Sequence, residues 1–162
     1  MKIAVIGATS QTGTLLLNQA LDEGHEVVAY VRRPEAISPV PGLSIVTGQI
    51  DNVETMCRAL VGCDAVVVIL GWKLGKPFIP LYSIAIPTLI KAAQQVGLKR
   101  VVVMSALGVG NTYKNTRYPY RLGCRTFLRQ IFEDHRIGES QLIGTNIKWT
   151  TVHPGPLMNG SK

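Results

Sequence analysis

The sequence has few cysteines, few acidic residues and no long apolar run. Three cysteines, Cys57, Cys63 and Cys124, are an odd number without C-x-x-C spacing, which argues against a disulfide framework or a zinc site. We interpret the three cysteines as buried free thiols, and a redox role is the alternative. No segment approaches the roughly 20 apolar residues of a membrane span, and the apolar start meets Gly7 too early for a signal peptide. We therefore expect a cytoplasmic protein without membrane contact.

Basic residues outnumber acidic ones by 17 to 10, which gives a formal charge of +7. Such an excess suits an anionic partner, which could be nucleic acid, an acidic membrane surface or a phosphorylated cofactor, and charge alone does not choose among them. With 162 residues, 46% of them apolar, the chain has the length of one domain with one core. We predict a single domain over residues 1–162.

Apolar runs rich in Val and Ile alternate with helical patterns, which is typical of a parallel sheet covered by helices on both faces. Strands are predicted at 2–6, 26–31, 44–47, 65–70, 100–104 and 149–152. Helices are predicted at 11–23, 52–61, 79–96 and 121–142. Pro87 is expected to kink or restart the third helix, and Gly138 to interrupt the fourth or divide it. The pattern predicts a doubly wound, three-layer α/β/α fold with strand order 3-2-1-4-5-6.

A glycine-rich turn, Gly7-Ala8-Thr9-Ser10-Gln11-Thr12-Gly13, joins the first predicted strand to the first helix. A dinucleotide needs this context, because the backbone must approach the pyrophosphate and the amides of a helix N-terminus must face it. A turn that only packs the helix on the sheet is the alternative. The predicted nucleotide contacts are Gly7, Thr9, Ser10, Gln11, Thr12 and Gly13.

Arg32 and Arg33 directly follow the second predicted strand. Proteins that bind NAD place an acid here for the ribose 2′-hydroxyl, whereas guanidinium groups suit the 2′-phosphate of NADP. We therefore predict NADP(H) in preference to NAD(H). Two solvated surface arginines are the alternative.

These residues resemble the atypical short-chain dehydrogenases of the NmrA-like and biliverdin reductase B (flavin reductase) type. That family opens with GATGxTG, and Ser10 replaces the middle glycine, where its hydroxyl could itself donate to a phosphate oxygen. The resemblance continues at residues 31–34, 48–51, 64–67, 97–102, 104–106 and 153–156. It implies a Rossmann-like fold without the family's last C-terminal elements, because this chain stops at Lys162. The alternatives are a truncated chain, a shortened natural member and a protein whose pocket a partner subunit completes, and in each case we expect a more open site.

The resemblance also implies roles for residues that follow the third and fourth strands. Gln49 and Ile50 are expected at the adenine, and Asp51 either shares that role or caps the following helix. The nicotinamide ribose is expected near the backbone of this segment: Leu70, Gly71 and Trp72.

Further roles are implied at the ends of the last two strands. Ser105 is expected beside the nicotinamide and the acceptor. His153 is expected to donate a hydrogen bond or a proton to the bound acceptor, and the turn at Pro154 lies over the pocket. His135 matches a family position occupied by lysine or histidine. Either histidine has an ordinary packing or surface role as its alternative.

The Tyr-x-x-x-Lys pair of typical short-chain dehydrogenases is absent, since Tyr113, Tyr118 and Tyr120 have no lysine four residues later. The resemblance implies hydride transfer from NADPH to a planar conjugated small molecule, a flavin, quinone or tetrapyrrole, with the chemistry carried by the cofactor. No metal is expected. A non-catalytic sensor of the NADP redox state, acting through a protein partner as NmrA-like regulators do, is the alternative.

Arginines recur every four residues near the end of the chain, at Arg117, Arg121, Arg125 and Arg129, and are expected along one side of a helix. They form either a solvated face or an anion-binding surface for nucleic acid or an acidic protein. Phe127 and Phe132 are expected to pack against the sheet, which leaves no aromatic side chains for base stacking. Sequence-specific DNA binding is therefore not expected, whereas a homo-oligomer stays open.

Overall fold

The computed structural model describes residues 1–72, 75 and 77–157. The strands are β1 (Lys2–Ile6), β2 (Glu26–Val31), β3 (Leu43–Thr47), β4 (Ala65–Val68), β5 (Arg100–Met104) and β6 (Lys148–Val152). The helices are α1 (Gln11–Asp22), α2 (Val53–Leu60), α3 (Tyr82–Val96), α4 (Tyr120–Arg125) and α5 (Arg129–Leu142). Short 3-10 helices lie at Pro34–Ala36 and Gly110–Asn115.

The six strands form one parallel sheet in the order β3-β2-β1-β4-β5-β6. The chain moves outward in one direction from β1 and in the other direction from β4. The carboxyl ends of these two strands therefore flank the point where the winding reverses, which is where open α/β sheets bind ligands. The predicted Rossmann-like fold class and strand order are confirmed.

Alternate residues of the strands face two hydrophobic clusters. Val5 and Val27 pack on Leu17 and Ala20 of α1. Neighbouring strand residues such as Ile6 pack on the opposite side with residues of α2, α3 and α5. Because successive side chains point to opposite faces, the central strands must be apolar throughout, and this explains their continuous Val and Ile runs.

Helix α3 continues through Pro87 without a break, so the helix does not restart there. Proline removes one amide donor, but Ile86 and Leu89 beside it are fully buried, and their packing holds the turn together. The helix ends as predicted at Gly97, which has a φ of 73°. Asn52 caps α2 through a 2.9 Å hydrogen bond from the Thr55 amide. The helix cap that was considered for Asp51 is therefore excluded.

The last helical segment divides at residues 126–128, and the predicted interruption at Gly138 is wrong. Gly138 lies inside α5, where a Cβ would stand 2.8 Å from the Cβ of Tyr82. The glycine therefore allows α5 to approach α3 closely and does not end a helix.

The four predicted arginines do not share one helix, because they lie before α4, within α4 and at the start of α5. Phe127 is 69% exposed between the two helices, so the prediction that it packs against the sheet is wrong. Phe132, within α5, is buried as expected. The expectation assumed one continuous helix over 121–142. Because the chain leaves the helix at residues 126–128, Phe127 no longer lies on the helix face that packs on the sheet. Aromatic surface therefore does accompany the arginines.

The three cysteines are free, and Cys124 is buried whereas Cys57 and Cys63 are half-buried. Burial raises the pKa of the Cys63 and Cys124 thiols, which disfavours the reactive thiolate. No helix within the described residues is long and apolar enough to cross a membrane. The cytoplasmic location and the single domain stay predictions.

Candidate functional site

The turn between β1 and α1 leaves no room for side chains at its two ends. Gly7 has a φ of 93°, and a Cβ on it would overlap the carbonyl oxygen of Ile69. A Cβ on Gly13 would overlap the carbonyl oxygen of Gly7. Only glycine fits both positions. This cradle fits a pyrophosphate, which must reach the amides of a helix N-terminus without meeting side chains.

Ser10 is the N-cap of α1. Its hydroxyl oxygen accepts a 3.0 Å hydrogen bond from the Gly13 amide, and its hydroxyl donates over 3.3 Å to the Ile69 carbonyl. Donation to a phosphate oxygen would have to replace the longer of these bonds. The remaining predicted side chains of the turn are exposed or half-buried: Thr9, Gln11 and Thr12.

The residues predicted to hold the adenosine lie at the carboxyl ends of β2 and β3. Arg32 and Arg33 are exposed, and neither belongs to an ion pair in the part of the chain that the structure describes. Gln49 is held by its backbone carbonyl, which accepts a 2.6 Å hydrogen bond from the Tyr30 hydroxyl. Its side chain is exposed, and Ile50 beside it is half-buried. Exposed, unpaired guanidinium groups at this edge fit a 2′-phosphate.

A buried tyrosine joins the carboxyl ends of β4 and β5. The Tyr82 hydroxyl, from the start of α3, lies 2.9 Å from the Leu70 carbonyl oxygen and 2.6 Å from the Met104 carbonyl oxygen. Strand β4 ends at Val68 and is thus shorter than the predicted 65–70.

The two residues that follow Leu70 begin an irregular segment at this edge. Gly71 is exposed, and a Cβ on it would meet no atom within 4 Å. The Trp72 indole donates a 3.1 Å hydrogen bond to the Pro77 carbonyl. The indole therefore folds back on its own segment.

Ser105, directly after β5, is 5% exposed. Its hydroxyl oxygen lies 3.3 Å from Nδ1 of His135, which reaches it from α5. The His135 ring stacks on the Tyr82 ring with centroids 3.8 Å apart. Burial lowers the pKa of His135 to about 4, although the charge of Asp134 opposes it. His135 is thus neutral at physiological pH and holds the Ser105 hydroxyl without placing a charge beside it.

Asp134 joins α5 to the start of α3. Its carboxylate accepts hydrogen bonds from the amides of Leu81, Tyr82 and Ser83 over 2.8, 2.9 and 3.0 Å, and from the Ser83 hydroxyl. Burial by itself would raise the pKa of Asp134, but these hydrogen bonds outweigh it and the pKa is lowered. The carboxylate supplies the N-terminal cap of α3 from another helix, and this fixes the neighbouring His135.

His153, after β6, is half-buried at the rim of the site. Its Nδ1 lies 3.1 Å from the Ala106 carbonyl oxygen, so this nitrogen carries a proton, because a carbonyl only accepts. Its Nε2 lies 3.7 Å from one carboxylate oxygen of Glu139. The other oxygen of Glu139 is buried and has no hydrogen-bond partner among the described residues. The Leu107 amide donates to the Pro154 carbonyl over 2.8 Å, which ties this turn to the segment after β5.

The structure brings the predicted residues into two groups along one edge of the sheet. One follows β1, β2 and β3, the other follows β5 and β6, and the segment after β4 connects them. Sequence reasoning missed Tyr82, Asp134 and Glu139. Asp134 could have been suspected only because it precedes His135 in the sequence. No local sequence pattern marks Tyr82 or Glu139. No group of three or more His, Cys, Asp or Glu among the described residues could hold a metal ion.

A profile of the NAD(P)H-binding family matches residues 7–162. The chain therefore belongs to this family of Rossmann-like proteins, and the resemblance inferred from the sequence is confirmed at that level. The chain is similar to the photosystem II assembly factor Ycf39 of Synechocystis sp., with 30% identity over 152 residues that cover 85% of this chain and 43% of Ycf39. It thus spans less than half the length of that relative.

Many solved structures share the fold. ChuY, an anaerobillin reductase from Escherichia coli O157:H7, superposes with a TM-score of 0.83 at 20% identity, over 99% of this chain and 76% of ChuY. A short-chain dehydrogenase/reductase of Veillonella parvula, in complex with NADP, gives a TM-score of 0.67 at 17% identity, over 94% of this chain and 68% of that one. At these identities the likeness shows the fold alone.

Proposed function

We propose that the chain is an NADPH-dependent reductase that transfers hydride to a planar conjugated acceptor, a flavin, quinone or tetrapyrrole. The observation that carries this proposal is one sheet edge with a glycine cradle at β1 and a buried, hydrogen-bonded Ser105 at the end of β5. ChuY, which shares the fold and is named an anaerobillin reductase, motivates the choice of acceptor class.

The bound nicotinamide would supply the hydride, and the protein residues would orient the acceptor. Ser105 is held by neutral His135, so its hydroxyl would be a fixed, uncharged polar group beside the nicotinamide ring. His153 carries a proton on Nδ1 that the Ala106 carbonyl already accepts. A hydrogen bond or proton given to the acceptor would therefore have to come from Nε2, which faces Glu139 and carries a proton only in the imidazolium form.

NADPH oxidation with flavins, quinones and biliverdin tests the proposal. Turnover should be abolished by Gly13→Asp, which fills the cradle with a negative side chain. Ser105→Ala and His153→Ala should each lower kcat by about 10- to 1000-fold while NADPH affinity changes less than about threefold. Ser140→Ala and His25→Gln serve as matched controls. Full turnover in both site variants, or loss of NADPH binding together with stability, would show that the residues are structural.

The cofactor preference has its own experiment. Arg32 and Arg33 should favour NADP over NAD, because hydrogen bonds to a charged phosphate contribute about 1.5 to 3 kcal/mol. Calorimetry should show this preference and its loss in the Arg32→Ala, Arg33→Ala double variant. The Lys91→Ala, Lys148→Ala variant removes the same charge from other exposed positions and should keep the preference. Equal affinities in the wild-type protein would refute the assignment.

A second candidate function is a non-catalytic sensor of the NADP redox state that acts through a protein partner. The observation that favours it is the relative named for assembly, Ycf39, which is 30% identical over most of this chain. Tight binding of NADPH and NADP without oxidation by any acceptor would favour the sensor. The sensor would act through a protein partner or as a homo-oligomer. Light scattering with and without NADP measures the molar mass in solution and so tests for the homo-oligomer.

A further inference from the structure

The arginines near α4 have no carboxylate partners among the described residues. Arg121, Arg125 and Arg129 are exposed and absent from the ion pairs found there. The nearby Glu133 is already engaged by Arg136 through two nitrogens. Arg129 lowers the pKa of the Glu133 carboxyl at longer range, but none of the three cations pairs directly with a carboxylate of the described residues, in a chain that carries +7.

A single tyrosine ring organises two of these cations. The guanidinium carbon of Arg121 lies 5.0 Å from the centroid of the Tyr113 ring, and that of Arg125 lies 5.6 Å away. Arg121 Nε also donates to the Tyr113 hydroxyl over 3.3 Å. A cavity of about 440 Å³ is lined by Tyr113, Cys124, Arg125 and Arg129. We refer to Tyr113, Arg121, Arg125 and Arg129 as the Tyr113 cluster.

The Tyr113 cluster belongs to the segment that leaves the candidate active site. Tyr113 packs in the hydrophobic cluster that includes Ala106, the residue next to Ser105. The Tyr120 hydroxyl donates a 2.7 Å hydrogen bond to the Leu107 carbonyl, which holds α4 against the same segment. The cations are thus tied to the carboxyl end of β5.

We propose that the Tyr113 cluster binds the anionic group, carboxylate or phosphate, of a planar acceptor, an inference that rests on the proposed function. Guanidinium groups pair with both oxyanions, and the cavity lined by Arg125 and Arg129 is open to solvent, so an anionic group can reach them. Two exposed aromatic rings, Tyr118 and Phe127, flank α4 and offer surface to a flat ring. Arg125 and Arg129 line one cavity, and Arg121 shares the Tyr113 ring with Arg125. This compact group is not the long track that a nucleic-acid backbone needs.

Flavin mononucleotide (FMN) and riboflavin share one ring system and differ by a phosphate, so their binding isolates the anion. Quenching of flavin fluorescence, with NADP present, should give an affinity for FMN at least about tenfold higher than for riboflavin. The Arg125→Gln, Arg129→Gln variant should bring this ratio to about one, with riboflavin affinity changed less than about twofold. The Lys91→Gln, Lys148→Gln variant should keep the ratio.

A second acceptor pair, biliverdin and its dimethyl ester, tests the carboxylate in the same way. Equal binding of the charged and neutral members of both pairs, or a preference that persists in the arginine variant, would overturn the inference. Loss of single-stranded oligonucleotide binding in that variant, with FMN binding unchanged, would also overturn it and indicate a nucleic-acid surface. NADPH oxidation is measured separately: arginine-dependent FMN binding without turnover would refute the reductase and leave the anion site standing.

Discussion

The glycine turn and the Ser105 site lie on the same sheet edge but are built in opposite ways. At the turn, Gly7 and Gly13 bring backbone against backbone, and the space exists because side chains are missing. At Ser105, side chains from two helices meet: His135 holds the serine, and Tyr82 stacks on the histidine. The first site is therefore sensitive to one added atom, and the second to one removed hydrogen bond.

The largest effect is expected from Gly13→Ala. The new Cβ would overlap the Gly7 carbonyl and stand 2.8 Å from the Ser10 hydroxyl, so the turn must move. We expect about 3 kcal/mol of lost stability and at least about a hundredfold loss of NADP affinity, measured by urea unfolding and calorimetry. Gly24→Ala is the matched control, with no atom within 4 Å of its Cβ but a φ of 78°. It should cost about 1 kcal/mol and leave NADP affinity intact. Equal NADP loss in both variants would contradict the cradle.

Asp134→Asn should be nearly as destabilising as Gly13→Ala but through the other mechanism. The amide group would turn a donor toward backbone amides that now donate to a carboxylate. Leaving buried donors unpaired should cost about 2 to 4 kcal/mol in urea unfolding. Glu133→Gln, at the position directly before Asp134, removes an exposed pair with Arg136 and a weaker attraction to Arg129, and should destabilise the fold much less than Asp134→Asn. Similar losses in the two variants would show that the cap of α3 is dispensable.

His135 predicts a loss of stability in mild acid. Its pKa is lowered from 6.5 to about 4, so the unfolded chain binds a proton first as the pH falls. The stabilising effect of a neutral His135 is full above about pH 6.5 and is lost as the pH approaches 4, by up to about 3 kcal/mol. Urea unfolding across this range should show a steeper decline for the wild-type protein than for His135→Phe. Parallel declines would contradict the burial of a neutral histidine.

The smallest effect is expected from Tyr82→Phe, which keeps the ring stacked on His135 and removes only the hydroxyl. The carbonyls of Leu70 and Met104 would lose their shared donor, at a cost of about 1 kcal/mol in unfolding. The turn at Gly13 contains no contact to this hydroxyl, so NADP affinity should stay within about threefold. A large loss of NADP binding would show that the two regions are coupled.

Several features were predictable because they depend on neighbours along the chain. The β1-to-β2 unit follows from a Val and Ile run, a glycine turn and a helical period, and all three are local. The cap at Asn52 and the end of α3 at Gly97 are local as well. Predictions were wrong where a tertiary contact overrode a local sequence preference. Gly138 indicates a helix break by propensity, but in the fold it makes room for Tyr82.

The sequence by itself determined the parallel sheet, the strand order and the position of the glycine turn, because periodicity and turn chemistry act over a few residues. Only the tertiary structure decided how Ser105 is held. Its partner His135 is 30 residues away, and the Asp134 carboxylate that fixes this histidine caps a helix some 50 residues earlier, with separations of 51 to 53. Such contacts depend on how closely α3 and α5 pack against each other on one face of the sheet, which no local pattern encodes.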